Sequence, residues 1–267
     1  MLCILKLGGS VITEKKAGKF KAKAARLKGI AKEIAKARAK GGFDLVIVHG
    51  AGPFGHKMVV DYGIANGVKT KRQIEGVAAT HDSMETLDKA VVGALLAEKI
   101  PAITLQPSAM ILQENKKIVE FDLSPVLDFL GIGLVPVLYG DIVPDKALGA
   151  SVVSGDAIIS YLAKELGADK IFLGTDVDGI FDSDPRKNKK ARLIGEINDS
   201  NFGEALKKAS GSSVTDVTQG MKGKLLEIRG KIRGRECIVF NLEKKGNLLK
   251  LLSGGKISAT KIYFKIR

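Results

Sequence analysis

Residues 44–56, DLVIVHGAGPFGH, carry an apolar run, Leu45 to Val48, that ends at His49 and then breaks into Gly50, Gly52 and Gly55. A short apolar run stopped by glycine reads as a buried parallel strand running into a loop. The same transition occurs twice more, where Lys6-Leu7 meets Gly8-Gly9-Ser10 and where Leu173 meets Gly174-Thr175-Asp176. In an open parallel sheet, ligands bind beyond the carboxyl ends of the strands, where glycine lets backbone N–H groups approach an anion. One such end is a tight turn; three together argue for a phosphate-rich ligand lying across the sheet edge.

Working outward, further strands are expected at 2–7, 101–105, 134–139, 170–174 and 236–240, with helices at 22–40, 71–99, 156–167 and 220–233. This alternation predicts an α/β sandwich with a mostly parallel sheet. Residues 109–122 break the rhythm: AMILQ and KIVEFD flank Glu114, Asn115 and Lys116, the pattern of a β-hairpin lying over one edge. The C-terminal TKIYFKI alternates and reads as a last strand. No linker divides the chain, so two lobes would share one continuous sheet, with a weak seam near 140–150.

The 267 residues suffice for a full core without disulfides or metals. Cys3 and Cys237 both lie in apolar strand-like runs, which suits buried free thiols in a reducing compartment and argues against a Cys/His zinc site. The longest apolar stretch, Phe129 to Gly140, is interrupted by Gly131, Gly133 and Pro136 and is too short to span a membrane. Lys6 breaks the N-terminal apolar run, so no signal-peptide core is expected and the protein reads as cytoplasmic. The net charge of +14 invites a nucleic-acid reading. Its distribution opposes that: Lys28, Lys32 and Lys36 fall opposite the apolar face Leu27, Ile30, Ile34 and Ala37 of one helix, an ordinary solvated surface. There is no Trp and no basic motif interleaved with aromatics.

Gly50, Gly52 and Gly55 match G-x-G-x-x-G, but a dinucleotide-binding βαβ unit closes in about 30 residues and carries an acidic ribose ligand after its second strand. Here the next clear strand begins near Pro101, and the Walker A pattern is absent. The phosphate chemistry must be organised differently. Lys6 is the anomaly of its strand, a cation between Leu5 and Leu7; it is either an edge lysine reaching solvent or an anion clamp. Lys15, in the loop that follows, and Lys224, in GMKGKLLEIRG, read alone as solvated lysines. His56 follows the glycine loop in the first turn of a helix, where a phosphate dianion would favour the imidazolium. His49 ends a core strand and reads as structural, and His81 on the long helix fits either role.

Five ordered segments then agree with one family. Lys6-Leu-Gly-Gly-Ser10, His49-Gly-Ala-Gly-Pro-Phe-Gly-His56, Ser154-Gly-Asp156, Gly174-Thr-Asp-Val-Asp-Gly179 and Asp216-Val-Thr-Gln-Gly-Met-Lys-Gly-Lys224 resemble the amino acid kinase family, from residue 6 to about 224. Ala51, Pro53 and Gln219 depart from its usual pattern, and Pro53 removes one N–H from the loop. The resemblance implies a three-layer αβα sandwich, usually a homodimer, with the acceptor bound by an N-terminal lobe (1–145) and MgATP by a C-terminal lobe (146–267).

Among the family's branches, the loop ending in Phe-Gly-His56 resembles those that act on a small phosphate or phosphonate. The activity implied is in-line transfer of the ATP γ-phosphoryl to isopentenyl phosphate, with a fosfomycin-type acceptor as the alternative. By the same resemblance, Lys6 and Lys15 would contact the transferring phosphoryl or acceptor phosphate, and Lys224 the ATP phosphates. His56, with Ala51, Gly52, Gly55 and Gly155, would hold the acceptor, while Asp156 would orient the lysines. Gly8, Gly9, Ser10, Gly52, Thr175, Asp176, Asp178 and Gly220 would border ATP, with Mg²⁺ arriving on its phosphates and no separate protein metal site. Nucleic acid and membrane are not expected partners. Val59, Val60, Ile64, Met84 and Leu87 could wall an apolar tail or simply be core.

Overall fold

The structure, a computed structural model, describes residues 1–14, 20–209, 220–229 and 231–266; the side chains of Ala209, Met221 and Lys224 also lie outside that description. The chain begins β1 (Leu2–Leu7), α1 (Gly9–Ile12), α2 (Ala24–Arg38), β2 (Asp44–His49), α3 (Pro53–Asp61) and α4 (Lys71–Ala97). Next come β3 (Ala102–Thr104), α5 (Pro107–Met110), β4 (Ile111–Glu114), β5 (Lys117–Phe121), α6 (Ser124–Gly131), β6 (Val135–Tyr139), β7 (Asp141–Asp145) and β8 (Gly149–Val153). The rest is α7 (Gly155–Glu165), β9 (Lys170–Thr175), β10 (Glu196–Ile197), α8 (Phe202–Ala209), α9 (Gly220–Arg229), β11 (Glu236–Asn241), α10 (Asn247–Leu252) and β12 (Ala259–Ile262).

Eight strands form the main sheet in the order β10-β12-β11-β9-β1-β2-β6-β3, parallel except between β11 and β12. The three strands that end in glycine, β9, β1 and β2, are therefore neighbours at its centre. From β1 the chain first builds one half of the sheet through β2, β3 and β6, then crosses to the other side at β9, so β1 lies at the topological switch.

The period-two alternation of strand side chains divides the core into two layers. Ile4, Val46, Val48, Leu138, Ile171 and Leu173 face α7 and α9, packing on Ile158, Leu162, Leu225 and Ile228. Cys3, Leu5, Leu45, Ile47 and Phe172 face the other way, onto α2, α4 and α10. In α2 the buried residues include Leu27, Ile30, Ile34 and Ala37, while Lys28, Lys32 and Lys36 are exposed. The result is the α/β sandwich the alternation predicts, in the three αβα layers the family resemblance implies. Helix α4 starts at a capping box: Thr70 Oγ1 accepts from Gln73 N, and Gln73 Oε1 accepts from Thr70 N. Both cysteines are buried and neither forms a disulfide, and burial pushes the Cys3 thiol up to about 11. Among the described residues, no helix is long and apolar enough to cross a membrane.

The expected hairpin is β4–β5, with Asn115 and Lys116 both left-handed at its turn, as a two-residue type I′ connection requires. It does not stand alone. The stretch read as a weak seam, 140–150, is itself a hairpin, β7–β8, and the two join as a second sheet in the order β5-β4-β7-β8. The lobe boundary expected at 145/146 thus falls at the end of β7, inside this hairpin.

Asp145 ties the two turns together. Its carboxylate accepts from the backbone N–H groups of Asn115 (3.1 Å), Lys116 (2.8 Å), Ala147 (3.0 Å) and Leu148 (3.0 Å), and from Ser151 Oγ (2.7 Å). Burial alone would raise its pKa, but Ser151 and the amides outweigh burial and hold it at about 2, below the usual 3.8. A depressed carboxylate contributes stability that is present above the unfolded pKa and fades as pH falls through the folded one. Asp145→Asn should therefore lower the unfolding free energy by roughly 2 kcal/mol at pH 7. The gap to wild type should narrow between about pH 4 and pH 2 in denaturant titrations.

Candidate active site

A cavity of about 770 Å³ opens at the carboxyl ends of β9, β1 and β2. The ladder continues past the strands into the loops: Gly8 N donates to Gly174 O at 3.0 Å and Gly50 N to Leu7 O at 2.9 Å. The first two loops then touch. A Cβ on Gly9 would lie 2.3 Å from Gly52 N, and Gly52 itself has φ of +53° with Thr13 Oγ1 where its Cβ would stand. Thr13 Oγ1 donates to Gly9 O at 2.6 Å and fixes that contact. Helices α3 and α7 begin at the cavity, presenting first-turn N–H groups and the positive ends of their dipoles. Pro53 is the first residue of α3, where a missing N–H costs no intrahelical bond.

Lys6 points from the carboxyl end of β1 toward α7, on the face otherwise filled by Ile4 and Val48. Its Nζ lies 2.6 Å from Asp156 Oδ1, and both side chains are about nine-tenths buried, at 9% and 10% exposure. Asp156 stands in the first turn of α7, whose N-cap Ser154 accepts from Ala157 N. A buried lysine needs such a partner, because an unpaired ammonium in the interior costs several kcal/mol. The edge-strand reading of Lys6 is overturned: β1 is central and the ammonium is enclosed beside the cavity.

The acceptor-type candidates gather at one end. Ala51, Gly52, Gly55, His56, Gly155 and Asp156 all line the cavity, as do Lys6, Gly8, Gly9 and Ser10. Beyond His56 the wall turns apolar with Val59, Val60 and Met84, joined by Ile142 and Val152 from the β7–β8 hairpin. Ile64 packs behind Val59 and Ile142, and Leu87 belongs to the core beneath α4, so neither reaches the cavity. Ile142 and Val152 escape a reading of the sequence because their stretch lacks a clear strand pattern. Asp141, also at this wall, is buried, which raises its carboxyl pKa against the lowering effect of His81 Nδ1 at 2.9 Å. His81 thus serves as partner to a buried acid.

At the other end, Thr175 and Asp176 line the cavity with Phe181, Pro185, Arg186 and Lys208. Arg186 pairs with Asp176 at 2.5 Å. Asp178 does not line the cavity; its carboxylate meets Asn241 Nδ2 at 3.1 Å and Lys244 Nζ at 2.7 Å. Arg186 and Lys208 are absent from the sequence reading, since a basic residue in a polar segment carries no periodic signal. Lys15 and Gln219 lie outside the described residues, as does the Lys224 side chain, while Gly220 opens α9.

Amides, a buried ammonium and an imidazole converging from separate loops stabilise spread negative charge without supplying a nucleophile, which is the equipment of phosphoryl transfer. The sequence model of the amino acid kinase family matches residues 1–241, and the chain belongs to that family. It is 38% identical to an isopentenyl phosphate kinase of Methanothermobacter thermautotrophicus, covering 98% of each chain. It is also 38% identical to one of Methanocaldococcus jannaschii, covering 99% of each. A solved isopentenyl phosphate kinase structure superposes with a TM-score of 0.85 at 36% identity, over 98% of this chain and 100% of the other.

The contact between loops yields a test. Gly9→Ala must push the two loops apart, because the obstructing atom is backbone. Turnover of ATP with the physiological acceptor should fall by about 10²-fold or more, as small misplacements of a reacting pair do. Thermal unfolding should shift far less.

Proposed function

We propose that the protein is an ATP-dependent kinase that phosphorylates isopentenyl phosphate to isopentenyl diphosphate by direct in-line transfer. The observation that carries this reading is the position of His56 in the cavity: it stands between glycine loops suited to phosphate and an apolar wall of Val59, Met84, Ile142 and Val152. A phosphomonoester with a short hydrocarbon tail has the same division. Burying five carbons contributes up to about 4 kcal/mol at roughly 0.8 kcal/mol each. Kinship to isopentenyl phosphate kinases over nearly the full length supports the same acceptor, and the apolar wall suits a hydrocarbon tail better than the small polar epoxide of fosfomycin.

A phosphate acceptor is largely deprotonated near pH 7, since its second pKa is about 6, so no general base is required. The task is to hold two anions together and to offset the charge on the transferring group. On this reading His56 binds the acceptor phosphate from the first turn of α3, with Ala51, Gly52, Gly55 and Gly155 around it. Lys6, held in place by Asp156, meets the transferring phosphoryl, and Lys15 and Lys224 complete the cationic set. Gly8, Gly9 and Ser10 offer amides to ATP, Thr175 and Asp176 border the nucleotide, and Asp178 supports that border through Asn241 and Lys244. Four of the aspartates lining the cavity fit a cation carried in by the substrate, since each already meets a basic side chain: Asp156 faces Lys6, Asp176 faces Arg186, Asp61 faces Lys57 and Asp141 faces His81. Mg²⁺ bound to ATP oxygens would supply further charge neutralisation. A homodimer, with the acceptor held mainly by residues 1–145 and MgATP mainly by 146–267, belongs to the same proposal; Gly155 and the loop at 8–10 reach across that division.

An acceptor panel tests it. With MgATP, isopentenyl phosphate and dimethylallyl phosphate should be converted far faster than fosfomycin, uridylate or acetylglutamate; faster conversion of any of the last three overturns the assignment. His56→Ala should reduce kcat/KM for isopentenyl phosphate by about 10²- to 10³-fold while unfolding like wild type. Near-normal turnover and acceptor affinity in that variant would remove His56 from the acceptor site.

A further inference from the structure

His49 lies directly beneath the glycine loop and the mechanism above does not use it. It is the last residue of β2 and fully buried, and its ring stacks on Tyr139 with 5.4 Å between centroids. Both ring nitrogens are engaged. Nε2 lies 3.2 Å from Asp88 Oδ1, and Nδ1 lies 3.3 Å from Gly50 O. Asp88, 2% exposed, comes from α4, and its other oxygen accepts from Thr104 Oγ1 at 2.5 Å.

The hydrogen-bonding inventory fixes the protons. A backbone carbonyl only accepts, so Nδ1 must carry a hydrogen; Thr104 donates to Oδ2, so one further proton is shared between Nε2 and Oδ1. Ring and carboxyl together hold two protons and no net charge in either arrangement, which suits a buried site. The consequence for the loop follows from peptide geometry. In a planar trans peptide the C=O and the next N–H point in opposite directions. A Gly50 carbonyl drawn down onto His49 therefore turns the Ala51 N–H away from the core. Ala51 lines the cavity, and its N–H has no hydrogen-bond partner among the described residues.

We infer that His49, braced by Asp88 and Thr104, is a positioning residue that locks the Gly50–Ala51 peptide so that the Ala51 N–H faces the cavity as a donor to bound phosphate. This rests on the phosphoryl-transfer reading, with isopentenyl phosphate as the first probe. It also explains why a polar triad lies under the glycine loop: glycine gives close approach but leaves the peptide free to flip, and a side chain must set its sense.

Two substitutions separate positioning from bulk. In His49→Asn the amide nitrogen can stand near Nδ1 and keep the bond to Gly50 O while losing Asp88. In His49→Gln the longer amide reaches toward Asp88 and leaves Gly50 O without its donor. The Asn variant should retain kcat within about tenfold of wild type and the Gln variant should lose about 10²-fold, at comparable melting temperatures. Equal losses in the two, or a Gln variant within threefold of wild type (about 0.7 kcal/mol), overturn the inference. A second readout needs no variant: the Ala51 amide proton resonance should move downfield when wild type is saturated with isopentenyl phosphate, and an unmoved resonance overturns it. Should isopentenyl phosphate fail as an acceptor, both measurements are made with whichever acceptor of the panel is converted, so failure of the substrate assignment is distinct from failure of the positioning role.

Discussion

The structure depends on one buried ion pair, Lys6 to Asp156, that joins the central strand to the helix beyond the switch in the sheet. A hydrophobic residue at position 6 would continue the face made by Ile4, Val46 and Val48 at lower cost, since a paired charge in the interior seldom stabilises more than well-packed carbon. The pair therefore makes sense as equipment. Its surroundings fit that geometry: Gly155 packs beside the Lys6 stem, and Ser154 caps the first turn of α7, from which Asp156 faces inward. The cation, its partner and the helix dipole come together where the carboxyl end of β1 meets the first turn of α7.

Much of this was legible in sequence because strong local signals coincide with the site. Apolar runs ending in glycine identify β1, β2 and β9, and only a parallel sheet needs glycine at the same end of each. What the sequence could not state is that these strands are neighbours, which follows from tertiary crossing connections. The same limit explains the second sheet. The 140–150 stretch mixes Gly140, Pro144 and Gly149 with charged residues and reads as a seam, yet β7 and β8 pair there because Asp145 organises both turns from within. A hub built from one carboxylate and four backbone amides has no periodicity to detect.

The residues that escaped prediction share a physical reason. Arg186 reaches Asp176 from ten positions further along the chain, and Ile142 and Val152 reach the cavity wall as cross-strand partners. Each is brought in by a turn or a register, and neither leaves a mark on composition. Conversely, Leu87 and Ile64 have the helical spacing of a pocket wall but lie one layer too deep, since spacing assigns a face of a helix and says nothing of depth. His49 was legible as a buried strand end, but its partners Asp88 and Thr104 come from separate elements.

The overall charge of +14 suggests a site dominated by loose cations, and the cavity is built on another plan. Lys6 is offset by Asp156 and Arg186 by Asp176, so much of the local charge is paired before any ligand arrives. Anion binding then draws on amides fixed by glycine loops and helix starts, which are dipoles already oriented and need little reorganisation when charge develops. Ion pairs supply orientation, because an ammonium held by one carboxylate cannot swing toward a phosphate in the wrong place. The surface lysines of α2 act separately, on solubility and long-range attraction of anions, and those effects weaken with salt while the buried pair and the amides are screened far less.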